Sequence, residues 1–544
     1  MTDLDLTPFI LDQSLIDYTL LATRDALTKS DGAAAALAKK RAIPALEFFT
    51  TLLDPSIEQE GVQLDAFKKY LAALNDESIA SEVLASLPKP EPATADAAQP
   101  TDVFNLTPAQ RVLGLPETLS LILSHVSPLS KPGRETYKAA SLVSRSFHHA
   151  SQITLWSIPR DLDTVEQQVR FAFGASISVA LSEPLGNHVK RLRIRRVRGG
   201  WNDRIIHKIV KVSQGVEDLT LHCGDVEDGV TPITPAFVSS LHTILSSLPK
   251  LRTLDLCKFS YTPVPDFEPD IPADGLVPFT KLESLTLYGF GWYWPAISKG
   301  LGANLKSLEI GLDTRLAEEE LLRLSTQTTA LTSLSLACPI TLRILQSFVN
   351  NAPGLESITV YRFDDIDDAF TNGFFAAVIQ PPNLKAISFS HPIGNRQFTV
   401  LQQSSAPLAD ISIKVQEDSP EAEVNQWLTE LIKAKKQTLT SLGVSFEGSK
   451  LLKPTDALVT ALAGCPQLKT LFIDAADAAE GVVGLGVSAS VVESLLRNCP
   501  NLRLTAFVES LVTGNEVYEK EFKQKMEVVE RELELENEED ILGN

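Results

Sequence analysis

The chain has 544 residues, of which 44% are hydrophobic and 22% are charged, a balance typical of a folded protein in water. Its formal net charge of −20 repels phosphate backbones, so general nucleic-acid binding is not expected. No uncharged run approaches the length of about eighteen residues that a membrane span needs, and the first residues lack the pattern of a secretory signal. These features favour an intracellular protein, cytoplasmic or nuclear, whose partners are other proteins.

The first 88 residues carry apolar side chains at helical spacing and predict a small helical region. Residues 89–105 are rich in Pro and Ala and have no apolar period, which favours an extended, solvated linker. The first domain boundary is therefore expected in this linker.

Residues 106–160 contain two apolar patterns that predict a compact set of amphipathic helices. A Leu115-Pro116 pair opens the first pattern, and the second ends near Trp156. The connecting stretch 127–136 contains two prolines and a glycine and is predicted to be a loop. The apolar positions of the two patterns are Leu119, Ile122, Leu123 and Val126, then Tyr137, Ala140, Leu142, Val143, Phe147 and Ala150.

A phrase of the form Leu-x-x-Leu-x-Leu, with conservative replacements, occurs about twelve times within residues 161–514, at spacings of 23 to 35 residues. In a strand, the fourth and sixth residues of each copy share one face, and stacking the copies side by side buries that face. Apolar residues at helical spacing between the copies predict a returning helix. The copies begin near Val189, Val216, Leu251, Leu282, Leu305, Leu331, Leu355, Leu384, Leu408, Leu439, Leu468 and, in degraded form, Leu502.

The predicted fold class is therefore α/β. A leucine-rich-repeat solenoid, a horseshoe with the strands on its inner curve, follows an all-α segment and an N-terminal helical region. The tail, residues 515–544, carries eleven acidic and four basic residues. Its front half is expected to form a helix that packs on the end of the array.

The helical segment resembles an F-box, on the residues Leu115-Pro-x-x-Leu119-x-x-Ile122-Leu123-x-x-Val126, then residues 141–150 and Leu155-Trp156. The order of this segment and the repeats resembles the fungal families of F-box proteins with leucine-rich repeats. The resemblance implies docking on the Skp-type adaptor of a cullin-RING (SCF-type) ubiquitin ligase. Its implied adaptor-binding residues, some as contacts and some as the segment's own core, are Leu115, Pro116, Leu119, Ile122, Leu123, Leu142, Val143 and Phe147. In the alternative interpretation these helices cap the N-terminal edge of a repeat scaffold that is not part of a ligase.

Arg191, Arg193 and Arg195 alternate along the first repeat strand and form what we call the basic row. Alternation places the three side chains on one face, about 7 Å apart, where they can fork onto carboxylates or a phosphorylated residue of a target. Neutralisation of acidic groups of the chain itself explains the basic row equally well.

Four aromatic residues predict further contacts with a target protein: Tyr288, Trp292, Trp294 and Tyr361. Trp and Tyr are over-represented at binding hot spots. An aromatic turn that fills the end of a repeat is the competing interpretation for the residues around Trp292. Small hydroxyl residues occupy many of the other outward strand positions, where crowding on a concave sheet also favours them.

The sequence predicts neither a catalytic site nor a cofactor or metal site. Five cysteines, Cys223, Cys257, Cys338, Cys465 and Cys499, are widely spaced and are expected to be buried apolar groups. The histidines form no metal-binding helix pair, and no nucleophile elbow or P-loop occurs in a strand-to-helix context. The leading hypothesis is a non-enzymatic receptor whose repeats hold a protein for ubiquitination. A repeat scaffold is the first rival, and an enzyme is disfavoured.

Overall fold

The computed structural model divides the chain into two compact units, one within Met1–Val277 and one within Pro278–Ile541. Every helix among the residues described is too short or too polar to cross a bilayer. The structure describes residues 13–29, 33–53, 58–87, 119, 123, 126, 131–142, 145–159, 162–181, 184–195, 203–222, 235–257, 279–290, 293–298, 300–311, 314, 316–338, 340–361, 373, 376, 379–447, 452–474, 487–503 and 511.

Among its described residues, the first unit contains nine α-helices and three strands that belong to the repeats. The helices are α1 (Gln13–Thr28), α2 (Ala33–Leu52), α3 (Glu58–Ala73), α4 (Glu77–Ser86), α5 (Lys131–Ser141), α6 (Arg145–Ser157), α7 (Val165–Ala180), α8 (Asp203–Val212) and α9 (Pro235–Ser246). The strands are β1 (Arg191–Arg195), β2 (Asp218–His222) and β3 (Thr253–Cys257). Parallel pairing joins β1 to β2 and β2 to β3 without a slip in register.

Aromatic rings hold the N-terminal helices against α7. Phe49 of α2 stacks on Phe67 of α3, with ring centroids 5.0 Å apart. Phe48 and Phe49 lie 5.3 and 5.7 Å from Phe173 of α7. Such aromatic pairs add to the energy of apolar burial. Through these contacts the N-terminal helices pack on α7, the helix that precedes the first repeat strand.

The helices of the F-box-like segment differ from the prediction in where they begin and end. Helix α5 begins at Lys131, so the prediction of a loop through residue 136 is wrong for its second half. Pro132 lies in the first turn, where a missing backbone N–H costs little. The second apolar pattern is likewise divided, because α5 ends at Ser141 and α6 begins at Arg145.

A small core of its own stabilises this segment. Leu119, Leu123, Tyr137 and Ala150 form one buried cluster, and Phe147 packs against it from a half-buried position. The Tyr137 hydroxyl donates to the carbonyl oxygen of Leu123 at 2.5 Å and to that of Val126 at 3.0 Å. Burial of this hydroxyl raises the pKa of Tyr137. The tyrosine therefore ties α5 to the end of the first apolar pattern.

The second unit repeats strand, turn and helix. Its strands, each paired in parallel with the next, are β4 (Ser284–Tyr288), β5 (Ser307–Ile310), β6 (Ser333–Leu336), β7 (Ser357–Val360), β8 (Ala386–Ile393), β9 (Asp410–Val415), β10 (Ser441–Phe446) and β11 (Thr470–Ile473). Its helices are α10 (Trp294–Ser298), α11 (Glu318–Gln327), α12 (Leu342–Asn351), α13 (Asn395–Gln403), α14 (Glu421–Lys435), α15 (Asp456–Ala463) and α16 (Ala489–Asn498).

The repeat phrase accounts for every strand of both units. Each strand begins two residues after the first residue of a copy, and the fourth and sixth residues of the copy are buried, as with Leu254 and Leu256 in β3. The parallel strands and intervening helices within each unit are those of a repeat solenoid, and the horseshoe curvature stays a prediction. The strand expected after Leu502 and the predicted tail helix lie outside the described residues.

Charges of opposite sign meet at the second position of neighbouring copies, just before the strands. Lys190 pairs with Glu217 at 2.5 Å, Lys306 with Glu283 at 2.8 Å, and Lys385 with Glu356 at 2.9 Å. A hydrogen bond from Lys190 lowers the pKa of Glu217, burial opposes it, and the charges of Lys190, Arg252 and Lys250 lower this pKa further. Because these side chains are largely exposed, each pair contributes little stability.

Two glycines allow the turns of the first two copies to touch backbone to backbone. A Cβ on Gly186, in the 3₁₀ turn Leu185–His188, would lie 2.1 Å from the carbonyl oxygen of Val212. A Cβ on Gly215 would lie 2.2 Å from the carbonyl oxygen of Asn187. Only a residue without a side chain fits either position.

Candidate binding surface

In the first unit the outward side chains of three neighbouring strands form a grid. The register aligns Arg191 with Asp218 and Thr253, then Arg193 with Thr220 and Asp255, then Arg195 with His222 and Cys257. The intervening leucines and isoleucine point into the core and are fully buried. This surface is therefore polar and charged over an apolar interior.

The basic row has the geometry that alternation predicts, but its three arginines differ in their surroundings. Arg191 and Arg195 are exposed, whereas Arg193 is half-buried. The Nε of Arg191 donates to a carboxylate oxygen of Asp218 at 3.0 Å, which agrees with local neutralisation at that position. A role for the basic row in holding a target stays a prediction.

Three side chains at the β2–β3 end of this grid are the types that bind transition metals. His222, Asp255 and Cys257 are half-exposed, and one potential ligand atom from each lies within 4.8 Å of the other two. The Cys257 thiol donates to a carboxylate oxygen of Asp255 at 2.8 Å. Burial, then the charges of Arg193 and Arg195, lower the pKa of His222, and Asp163 opposes them. Asp255 and Cys257 follow His222 by 33 and 35 residues in the sequence, so no local motif predicts the cluster.

The cysteines divide into two environments. Cys338, Cys465 and Cys499 are buried, as expected for apolar groups, whereas Cys257 is half-exposed. Burial raises the pKa of the Cys499 thiol to about 11 and that of Cys465 to about 12. Cys257 is thus the described cysteine with access to a ligand from solvent.

In the second unit the outward positions align into two rows across eight strands. The first row is Ser284, Ser307, Ser333, Ser357, Ala386, Asp410, Ser441 and Thr470. The second row is Thr286, Glu309, Ser335, Thr359, Ser388, Ser412, Gly443 and Phe472. Phe472 is 47% exposed although it is a large apolar group, and it is not among the residues that the sequence predicts to contact a target.

The four aromatic residues predicted to contact a target differ in their exposure and contacts. Trp294 is fully buried together with Tyr293 and Phe290, so its prediction as a target-binding residue is wrong. Burial also raises the pKa of Tyr293. The Tyr288 hydroxyl donates to the Glu309 carboxylate on the neighbouring strand. Tyr361, at the end of β7, is 45% exposed, and Trp292 lies outside the described residues.

The predicted adaptor-binding residues divide between core and surface. Leu119 and Leu123 are buried in the segment's core, where direct contact with a second protein is excluded, and Phe147 is half-buried against them. Leu142, just after α5, is 87% exposed. The other predicted residues, Leu115, Pro116, Ile122 and Val143, lie outside the described residues.

A groove of about 640 Å³ lies between α2, α7 and α8 in the first unit, and Lys208 lines it. Lys208 Nζ donates to the carbonyl oxygen of Phe48 at 3.0 Å and to the Thr51 hydroxyl. The ammonium also lies 4.5 Å from the centroid of the Phe48 ring. Burial, with a smaller effect from Lys211, lowers the pKa of Lys208 to about 8.

Lys208→Met is expected to change how stability depends on pH. A base whose pKa falls from 10.5 to about 8 on folding destabilises the folded state below pH 8, and this penalty disappears as the pH rises to 10.5. Relative to the variant, the wild type should gain about 1–2 kcal/mol of unfolding free energy over that window, after allowance for solvent. Urea titrations at several pH values measure this difference. Lys68→Met, at an exposed position of α3, should leave it unchanged, and equal slopes for wild type and Lys208→Met would contradict the expectation.

Comparison with protein-family models finds no match, and comparison with curated proteins finds none either. Among solved structures, the chain is similar to one described as "Crystal structure of Rad7 and Elc1 complex in yeast". The similarity has 17% sequence identity and a TM-score of 0.35, over 71% of this chain and 86% of that chain. A TM-score of 0.35 is too low to assign fold or function to this chain.

Proposed function

We propose that the protein is a non-catalytic substrate receptor of a cullin-RING (SCF-type) ubiquitin ligase. In this proposal the helical segment 106–160 binds the Skp-type adaptor, and the repeats bind a target protein. The observation that carries it is Leu142, an 87% exposed leucine just after α5 that lies outside the buried cluster of Leu119, Leu123, Tyr137 and Ala150. The F-box resemblance of the same residues gives the class of partner.

The exposed side chain of Leu142 is open to a second molecule. Tyr137 of α5, Ala150 of α6 and the two buried leucines of the first apolar pattern form the cluster without it. Removing one leucine side chain from water is worth about 1.5–3 kcal/mol. A partner that covers Leu142 gains this free energy, and the isolated chain does not.

The repeat surface is suited to holding a protein rather than to chemistry on a small molecule. Its hydroxyl, charged and aromatic side chains lie in aligned rows over long sheet faces. Catalysis in the proposed complex is proximity, since holding a target lysine near a ubiquitin-loaded subunit raises its effective concentration. No catalytic side chain is required of this chain.

Leu142→Arg is expected to weaken binding of the Skp-type adaptor by about 10–100-fold. Burial of the leucine side chain contributes more than about 1.4 kcal/mol to binding, whereas burial of the arginine charge costs free energy. Isothermal titration of the full chain with purified adaptor measures the affinity. Val62→Arg is the matched control, because Val62 is a 70% exposed apolar residue on α3. Wild-type protein that is folded and does not bind the adaptor would remove the ligase proposal.

A second function, a repeat scaffold capped by the F-box-like helices, is favoured by the contacts of α6. The rings of Trp156 and Phe171 of α7 lie 5.1 Å apart, and the backbone N–H of Lys190 donates to the carbonyl oxygen of Ser157 at 2.9 Å. Under this alternative, Trp156→Ala lowers the stability of the first unit and no adaptor binds. If the wild type binds the adaptor and Leu142→Arg does not, the result supports the receptor function over the scaffold.

A further inference from the structure

The grid of outward side chains in the first unit brings a nitrogen, an oxygen and a sulfur donor together. The register pairs His222 of β2 directly with Cys257 of β3. Asp255 lies two residues before Cys257, so both side chains leave the same face of β3. Their donor atoms lie within 4.8 Å of one another. Three donors of different chemistry thus converge from two hydrogen-bonded strands.

We propose that His222, Asp255 and Cys257 form a Zn²⁺ site with one open coordination position. Imidazole, carboxylate and thiolate are all zinc ligands, at about 2.0–2.3 Å from the ion. In a tetrahedral site these bond lengths separate the ligand atoms by about 3.3–3.6 Å. The three donor atoms lie within 4.8 Å of one another, so the proposal requires their side chains to approach each other by up to about 1.5 Å when the ion binds.

The donor types favour a transition-metal ion, and their charges balance a divalent one. On binding, the Cys257 thiol releases its proton to solvent, and its hydrogen bond to Asp255 is replaced by two bonds to the metal. One thiolate and one carboxylate then neutralise the two positive charges of the ion. This neutral sum suits a site beside Arg193 and Arg195, whose charges act on His222. A hard ion such as Mg²⁺ prefers oxygen ligands and several waters, which this donor set does not supply.

The open position faces the side of the sheet that carries the basic row. Zinc sites with three protein ligands keep a fourth place for water or an incoming donor. Since all three ligands are half-exposed, that place is accessible from solvent. The metal site does not depend on the proposed ligase function.

Metal-free full-length protein titrated with Co²⁺ tests this site. The expected result is one Co²⁺ per chain, with the d–d bands of a tetrahedral ion and a thiolate charge-transfer band that Zn²⁺ abolishes by displacement. Cys257→Ser should remove the charge-transfer band, and His222→Gln and Asp255→Asn should each weaken binding at least about tenfold. Cys338→Ala, which removes a buried cysteine, should leave both the band and the affinity unchanged.

Two results would overturn the assignment. One is a charge-transfer band that persists in Cys257→Ser. The other is loss of the band in Cys223→Ser, since Cys223 follows His222 in sequence and would then belong to the ligand set. Circular dichroism of each variant verifies folding, and adaptor binding is measured on the same samples. Failure of the metal site therefore remains distinguishable from failure of the receptor proposal.

Discussion

Trp294→Ala should lower the free energy of unfolding by about 3–5 kcal/mol, the cost of a large cavity in a close-packed interior. Trp294 is fully buried at the start of α10, beside Ile297 and Tyr293. Its indole N–H has no hydrogen-bond partner among the described residues. Trp294→Phe should therefore cost much less than the alanine variant, because it removes an unsatisfied buried donor and leaves a smaller cavity.

Urea unfolding followed by circular dichroism measures both variants, and limited proteolysis reports on the second unit separately. Tyr361→Ala is the surface control, since Tyr361 is 45% exposed, and it should change the midpoint little. If Trp294→Ala kept wild-type stability and lost only target binding, the tryptophan would be a contact residue after all.

Gly215→Ala should destabilise the first unit by about 2–3 kcal/mol, because its methyl group would overlap the backbone of the preceding copy. The nearest atom, the carbonyl oxygen of Asn187, would be 2.2 Å away, and the carbonyl oxygen of Val189 would be 3.0 Å away. Neither is a flexible side-chain end. The turns of the two copies must therefore separate to admit one methyl group.

Gly354→Ala provides a matched control from another repeat. Both glycines immediately precede the first residue of a copy, Val216 or Leu355. At Gly354 the nearest atom to a Cβ, the carbonyl oxygen of Leu331, is at 3.8 Å, an ordinary contact. Gly354→Ala should thus be neutral or stabilising by up to about 1 kcal/mol, since alanine restricts the unfolded chain. Equal effects of the two substitutions on the thermal midpoint would refute the proposed clash.

The repeat strands could be predicted from the sequence because burial and alternation are local properties. The positions within each Leu-x-x-Leu-x-Leu copy predict which side chains are buried. The register follows because similar copies stack side by side. The apolar residues at helical spacing between the copies do form returning helices, as in α12 (Leu342–Asn351). The start of α5 was missed because its first turn contains Pro132 and Gly133, which also occur in loops.

The functional surface was less predictable because it depends on contacts between copies. Leu119 and Leu142 have the same side chain in neighbouring apolar patterns, yet one is buried and the other is exposed. Trp294 follows a strand, and only the packing of α10 decides that its ring points inward. The donors His222 and Cys257 meet because β2 pairs with β3. The spacing between copies varies along the chain, so no fixed sequence spacing predicts this pair of donors.

The opposite charges before the strands bear on how such a protein can change in length. Deleting the copy that contains Glu217 would make Lys190 and Arg252 neighbours, and two cations would then face each other where a cation and an anion now meet. An insertion or loss that spans two adjacent copies preserves the alternation of sign at this place. Because these pairs are exposed, loss of that single copy is expected to cost the array less than about 1 kcal/mol through this contact.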